Sequence, residues 1–205
     1  MGDRRQDHFA RRAKQEGRPA RSVYKLEEID AKWQLLRPGQ RVLDLGASPG
    51  SWTQYAAERV GPKGQVVAYD LKPLAVTLPA HVVFEVGDVF ELCRQAGPLT
   101  AGSHLGTFDL VLSDMAPSTM GHHKTDALRS MALCEQALHV AQVLGRKHSA
   151  LVVKALEGGE VPQLALQMRK TYRKVTRLRP QATRKESTEI FLIGLDKLEA
   201  PGESL

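Results

Sequence analysis

No stretch of this sequence approaches the roughly 20 consecutive apolar residues that a bilayer-spanning helix needs, so a helical membrane protein is not expected. The basic N-terminus lacks the apolar segment and cleavage site of a secretory signal, and Asp3, Asp7 and Glu16 speak against a transit peptide. Cysteine is scarce. Cys93 and Cys134 lie far apart without metal-ligand neighbours, which predicts two packed thiols in a reducing compartment. A cytoplasmic location is the resulting expectation. There is no internal repeat and no low-complexity tract. What remains is ordinary globular composition, 42% hydrophobic and 25% charged, in a chain of 205 residues that suits a single domain with a full core.

Positive charge is unevenly placed. Residues 1–25 carry eight bases against three acids, and residues 161–185 carry eight bases and no acid, which leaves the rest of a chain of net charge +6 at −7. One such run reads as a solvated helix face. Two acid-poor runs flanking an acidic centre favour a polyanionic partner instead. The candidate contacts are Arg11, Arg12, Arg18 and Arg21 in the first run and Arg173, Lys174, Arg184 and Lys185 in the second, expected to form one positive rim.

Residues 3–16 read as a basic helix or a loosely ordered arm. A helix is expected from Ser22, a candidate cap, with Leu26, Ile29, Trp33 and Leu36 at helical spacing. After a turn at Arg37–Gln40, short apolar runs fall at Arg41–Leu45, Gln65–Tyr69, Val82–Val86, Phe108–Ser113 and Ala150–Lys154. Helical stretches separate them at Ser51–Val60, Phe90–Ala96, Thr125–Leu144 and Val161–Tyr172. The alternation predicts an α/β domain around a mainly parallel sheet. Lys174–Arg179 and Thr188–Leu195 have no helix between them, which predicts an antiparallel hairpin at the sheet edge. The expected division is a basic arm over 1–20, a catalytic domain over 21–196 and a flexible tail over 197–205.

The strongest local signal is the run from Val42 to Trp52, in which a strand enters a glycine-bearing turn and then a helix. Gly46 and Gly50 allow a sharp turn and close approach of a ligand to the backbone. Asp70 follows 24 residues after Gly46, where a carboxylate accepts the two hydroxyls of a ribose. Asp88, after the third strand, is placed to meet an adenine amino group. A dinucleotide turn would read G-x-G-x-x-G and cradle a pyrophosphate. Here the pattern is D-x-G-x-x-x-G, and Asp44 ahead of the glycines would repel a pyrophosphate but attract an α-amino group. The cationic amino acid end of S-adenosylmethionine suits it better than NAD does.

Four further segments place polar residues where an apolar core would be simpler: Arg21–Leu26, Leu112–Pro117, Val152–Gly158 and Arg184–Phe191. With the glycine turn they closely resemble the FtsJ/RrmJ family of RNA 2′-O-ribose methyltransferases, from about Ala10 to Leu195 and in family order. The resemblance implies a single-domain Rossmann-like methyltransferase fold, a seven-stranded mostly parallel sheet with an antiparallel last strand and helices on both faces. It implies a catalytic tetrad at Lys25, Asp114, Lys154 and Glu189, and cofactor contacts at Gly50, Trp52, Asp70, Asp88 and Asp114. Ser51 departs from the second glycine or alanine often found there, a small change. The implied reaction is methylation of RNA by S-adenosylmethionine, leaving S-adenosylhomocysteine. The substrate expected is a uridine of large-subunit ribosomal RNA in the peptidyl-transferase region, because the chain is short like the compact bacterial branch. A tRNA anticodon loop and a non-catalytic RNA-binding role are the alternatives. The partner would be structured RNA, met by a monomer without metal. The His122-His123 pair has only Asp126 as a nearby co-ligand and reads as two solvated or substrate-facing rings.

A ribose hydroxyl is a poor nucleophile at neutral pH and must lose its proton or be closely aligned during attack. The resemblance makes Lys154 the base. A lysine with its ordinary pKa of about 10.4 is charged at neutral pH, so a second version keeps Lys154 charged and lets it position the oxygen.

Overall fold

The computed structural model describes residues 4–96, 106–117 and 123–199. In chain order the elements are α1 (Arg4–Gln15), α2 (Val23–Trp33), β1 (Arg41–Leu45), α3 (Ser51–Val60), β2 (Gln65–Asp70), β3 (Val82–Val86), α4 (Val89–Ala96), β4 (Phe108–Ser113), α5 (His123–Leu144), β5 (Gly145–Leu156), α6 (Val161–Thr171), β6 (Tyr172–Leu178) and β7 (Glu189–Lys197). The seven strands form one sheet in the order β3-β2-β1-β4-β5-β7-β6. The first five pair in parallel, and β7 runs antiparallel to both β5 and β6. The expected hairpin is present, with β7 inserted between β5 and β6 so that β6 is the edge.

Side chains of a strand alternate between faces, and this period assigns each core. Leu43, Leu45, Val111 and Val153 pack with residues of α4, α5 and α6. Their neighbours Val42, Leu110, Leu112 and Val152 pack on the other face with Leu26 and Ile29 of α2 and Trp52, Ala56 and Val60 of α3. The same parity carries Asp44, Asp114 and Lys154 to the α2/α3 face. Phe191 and Ile193 of β7 belong to that core too, so Glu189, two residues before Phe191, shares the face. One face of one sheet thereby gathers four of the acidic and basic positions singled out in the sequence.

The helix after Ser22 forms, but Ser22 does not cap it: its backbone is already helical and its side chain makes no cap bond. The Ser22 carbonyl instead accepts a hydrogen bond from the Trp52 indole at 2.9 Å. The helix ends at Gln34, whose left-handed backbone (φ 51°) lets its amide reach the Asp30 carbonyl. The buried Asp30 carboxylate accepts from the Leu36 amide, the Tyr55 hydroxyl and the Arg59 guanidinium, joining α2 to α3. Helix α1 is not loose. Ala13 packs with Val23, Tyr24 and Ala182, and Arg18 holds Glu58 of α3 through two bonds of 2.6 and 2.8 Å. At the other end the sheet continues through Lys197, one residue into the expected tail, and the Lys197 ammonium is buried against the carbonyls of Gln142 and Gly145. Residues 200–205 of that tail lie outside the described residues.

Candidate active site

The strand order reverses between β1 and β4, and open parallel sheets bind ligands at the carboxyl ends of the strands beside such a reversal. Here the turn after β1 and the loop after β4 meet, with the Asp114 amide donating to the Leu45 carbonyl at 3.2 Å. Beside them opens a cavity of about 410 Å³ lined by Gly46, Ser48, Asp70, Asp88 and Asp114, with Tyr69, Phe90, Met115 and Leu133 as apolar walls. Gly46 has φ +74°, and a Cβ there would lie 2.7 to 2.9 Å from Met115 Cγ, Cα and N. Only glycine fits that floor. The Asp70 carboxylate is fixed by the amides of Ser48 (2.9 Å) and Lys72 (2.8 Å), and Asp88 Oδ1 accepts from the Phe90 amide (3.0 Å). Cavity size, two anchored carboxylates and apolar walls together suit a nucleoside.

Three residues of the expected cofactor set are placed elsewhere. Gly50 has φ +112° and underlies the Val76 side chain, so the segment after β2 covers the end of the turn. Trp52 is buried against Phe191 with ring centroids 5.6 Å apart. Asp44 is 0% exposed beneath the turn, where the Thr53 hydroxyl donates to Oδ2 at 2.7 Å and Oδ1 has no hydrogen-bond partner among the described residues. None of the three lines the cavity, and the Trp52 and Asp44 side chains support the turn from behind. Burial pushes the Asp44 carboxyl up to about 7, the Thr53 bond opposing and the charges of Asp114 and Asp70 adding to the rise.

Lys25, Asp114, Lys154 and Glu189 meet, although up to 164 residues separate them. Lys154 Nζ lies 3.0 Å from Asp114 Oδ1, donates to the Asp114 carbonyl at 2.7 Å, and stands 3.9 Å from Glu189 Oε1. Glu189 Oε2 in turn accepts from Lys25 Nζ at 2.7 Å. Register explains the meeting. The antiparallel β7 pairs Phe191 with Lys154 and Glu189 with Leu156, so Glu189 enters diagonally beside Lys154 at the carboxyl end of β5. Helix α2, packed on the same face, delivers Lys25. Both lysines are buried, at 7% and 8% exposed, and little water screens the group. Burial alone would raise the Glu189 carboxyl, but the charge and hydrogen bond of Lys25, then the charge of Lys154 and a bond with Ser187, hold it below the ordinary glutamate range.

A second cavity of about 460 Å³ opens beyond this group, lined by Arg21, Ser22, Lys25, Arg184, Glu186 and Glu189. Asp114 borders the first cavity, and Lys25 and Glu189 border the second. The line Asp114–Lys154–Glu189–Lys25 therefore joins two cavities.

The basic residues do not gather into one rim. Arg21 and Arg184 face the second cavity. Arg12 pairs with Glu16 and lies over the Tyr24 ring, Arg18 pairs with Glu58, and Arg173 pairs with Asp196. Lys174 pairs in register with Leu195, at the opposite end of β7 from Glu189. Arg11 and Lys185 are exposed on the surface. Of the two cysteines, Cys134 is a packed thiol whose Sγ donates to the Lys154 carbonyl at 3.0 Å, and burial pushes it up to about 12. The Cys93 side chain, His122 and the His123 side chain lie outside the described residues. Among the described residues, no group of three His, Cys, Asp or Glu could hold a metal ion, and no helix is long and apolar enough to cross a membrane.

A sheet of this order with a nucleoside-sized cavity at its reversal defines the Rossmann-like methyltransferase class. Solved structures agree on the fold. A Plasmodium falciparum protein described as a ribosomal RNA methyltransferase superposes with a TM-score of 0.75 at 24% identity, covering 88% of this chain and 99% of that one. Human methyltransferase-like protein 13, solved in complex with S-adenosylhomocysteine, superposes with a TM-score of 0.60 at 12% identity over 87% and 83% of the two chains. The FtsJ-like methyltransferase family model matches residues 19–197, and the chain belongs to that family. A relative in Bdellovibrio bacteriovorus, ribosomal RNA large subunit methyltransferase E, is 48% identical over 191 residues, spanning 93% of this chain and 96% of its own.

Proposed function

We propose that the protein transfers a methyl group from S-adenosylmethionine to a ribose 2′-hydroxyl of large-subunit ribosomal RNA, at a uridine of the peptidyl-transferase region. The observation that carries this reading is the line of four charged side chains joining a nucleoside-sized cavity to a second, arginine-flanked one. Near full-length likeness to a ribosomal RNA large subunit methyltransferase E supports the substrate. A cytoplasmic location and a monomeric state go with the reading.

The residues of the first cavity fit the cofactor. Gly46 leaves a floor that admits no Cβ, Asp70 suits the ribose hydroxyls, Asp88 the adenine amino group, and Asp114 the end nearest Lys154. When bound there, S-adenosylmethionine supplies a methyl group on a sulfonium, open to in-line attack. Lys154 takes or holds the proton of the attacking hydroxyl, and Asp114 fixes Lys154 through two contacts. Lys25 and Glu189, already paired, hold the acceptor ribose from the second cavity.

The substrate is tested by offering labelled methyl donor with total tRNA, naked ribosomal RNA and intact large subunits, then mapping the modified ribose. Label at one ribose of large-subunit RNA is expected. Label confined to tRNA would move the substrate to the anticodon loop, and none in any RNA would end the enzymatic reading. A second expectation concerns the floor. Gly46→Ala puts a side chain into left-handed backbone at a cost of about 1–2 kcal/mol and forces Met115 off the cavity wall. Equilibrium titration with S-adenosylmethionine should show affinity weakened roughly tenfold or more; unchanged binding would place the cofactor elsewhere.

A further inference from the structure

Trp52 stands two residues after Gly50, at the end of the turn that floors the first cavity, yet its side chain is buried away from that cavity. A buried indole needs an acceptor for its N–H, and this one finds it on another helix. It donates to the Ser22 carbonyl at 2.9 Å, and the Lys25 amide donates to the same oxygen at 3.0 Å. The other bonds that enter α2 are longer, Val23 on the Ala20 carbonyl at 3.5 Å and Tyr24 on the Arg21 carbonyl at 3.3 Å. Hydrogen bonds weaken at such lengths, and Ser22 adds no side-chain cap. The Ser22 carbonyl is therefore the best-held point at the start of α2, and one oxygen carries both the α3 indole and the Lys25 backbone.

The same indole is braced from the sheet. Its ring lies 5.6 Å from that of Phe191, tilted by 34°. Phe191 pairs in register with Lys154, and the Lys25 ammonium stands 5.9 Å from the centre of its ring. Phe191 is thus the cross-strand neighbour of one lysine and the apolar floor under the other. Both aromatic side chains are buried, and a close-packed interior passes a displacement on instead of absorbing it. Cofactor turn, indole, Ser22 carbonyl and Lys25 form one connected path.

We propose that Trp52 is a positioning residue whose indole N–H fixes α2, and with it the Lys25 ammonium, relative to the turn that cradles the cofactor. This rests on the RNA methyltransferase reading and adds to it which side chain aligns the acceptor side with the methyl donor. In-line attack needs that alignment, since a misplacement of about 1 Å costs on the order of a hundredfold in rate. The family resemblance implied Trp52 as a cofactor contact; here its side chain joins the two sides of the site instead.

Trp52→Phe keeps a ring against Phe191 and removes the N–H. The single-turnover rate at saturating RNA and cofactor is expected to fall about tenfold, while affinity for S-adenosylmethionine by equilibrium titration stays within about twofold of wild type. Heteronuclear NMR of the side-chain ammonium groups follows Lys25 directly, its signal assigned by its loss in Lys25→Met. In Trp52→Phe that signal should shift or broaden, while the signal of the buried Lys197 ammonium, held by carbonyls at the far end of the sheet, keeps its place. A Lys25 signal that does not move, or a wild-type rate, would overturn the proposal. Cofactor affinity weakened about tenfold or more would overturn it too, and return the indole to the cofactor. If Trp52→Phe does not fold, 3-benzothienylalanine at position 52 in a Trp33→Phe background exchanges the N–H for sulfur at nearly equal shape, and the same three quantities are read. If wild type methylates no RNA, the enzymatic reading fails, and the ammonium signal and the titration decide the role of Trp52 without it.

Discussion

Replacing Lys154 by alanine is expected to lower methyl transfer by about two to four orders of magnitude while affinity for S-adenosylmethionine stays nearly intact. The asymmetry follows from geometry. Lys154 lies behind Asp114 and does not line the cavity that fits the cofactor, yet its amine is the common partner of Asp114 and Glu189. Without it, two carboxylates face each other across the path between the cavities with no shared cation. Single-turnover rates with saturating RNA, beside a cofactor titration and a circular dichroism spectrum to check the fold, measure the separation. Near-normal turnover would remove Lys154 from the chemistry. Lys154→Arg then divides the two versions of its role. A guanidinium cannot give up its proton in this range but can still position an oxygen. An arginine variant as inactive as alanine points to proton removal, and partial recovery points to alignment.

That geometry was legible in the sequence to an uneven degree. The strands Arg41–Leu45 and Phe108–Ser113 and the helix Ser51–Val60 lie where the apolar runs and helical spacing put them, because burial writes itself directly into composition; Val82–Val86 is exposed at Val83 and Val86 and is marked instead by its valine-rich run. Strand β5 begins at Gly145 rather than Ala150, since Arg146, Lys147 and His148 read as loop. They form an irregularity between the Phe108–Gly145 and Leu110–Ala150 pairs, with Arg146 meeting Asp109 and His148 meeting Asp196 at 2.6 Å, partners distant in sequence. Lys197 read as tail for the same reason, its ammonium being paid for by carbonyls 52 and 55 residues away. The convergence of the four charged residues was implied by the family resemblance. Face parity then explains it for Lys154 and Glu189, once β7 is known to be antiparallel. What charge counting could not separate was arginine from arginine: Arg18 and Arg184 look alike in the chain, but only the fold sets Glu58 against the first and leaves the second facing a cavity. Trp52, expected at the cofactor, belongs to the core that positions α2, and only packing shows that.

Asp44 should make the stability of the protein fall as pH rises from about 4 to about 7. In the unfolded chain its carboxyl loses its proton near the ordinary aspartate value, whereas burial holds the folded group up to about 7. Between those two values the folded state keeps a proton that the unfolded state releases, so its contribution is complete below about pH 4 and is lost by about pH 7. The full swing is about 4 kcal/mol for a shift of this size. Glu189 works in the opposite sense at lower pH, its depressed carboxyl adding stability as pH rises through the acid range. Comparison with a variant isolates the aspartate. Asp44→Asn keeps the shape and an acceptor for the Thr53 hydroxyl but cannot ionise. Urea unfolding at a series of pH values should show the variant gaining on wild type from about pH 4 to about pH 7 and holding a constant difference above. Parallel curves would mean that Asp44 is charged when folded, and that the unpartnered Oδ1 has a donor in solution. Adding S-adenosylmethionine extends the measurement: if the bound α-amino group lies close to the turn, its positive charge favours ionised Asp44, and binding at pH 6 should release a proton from wild type that Asp44→Asn does not release.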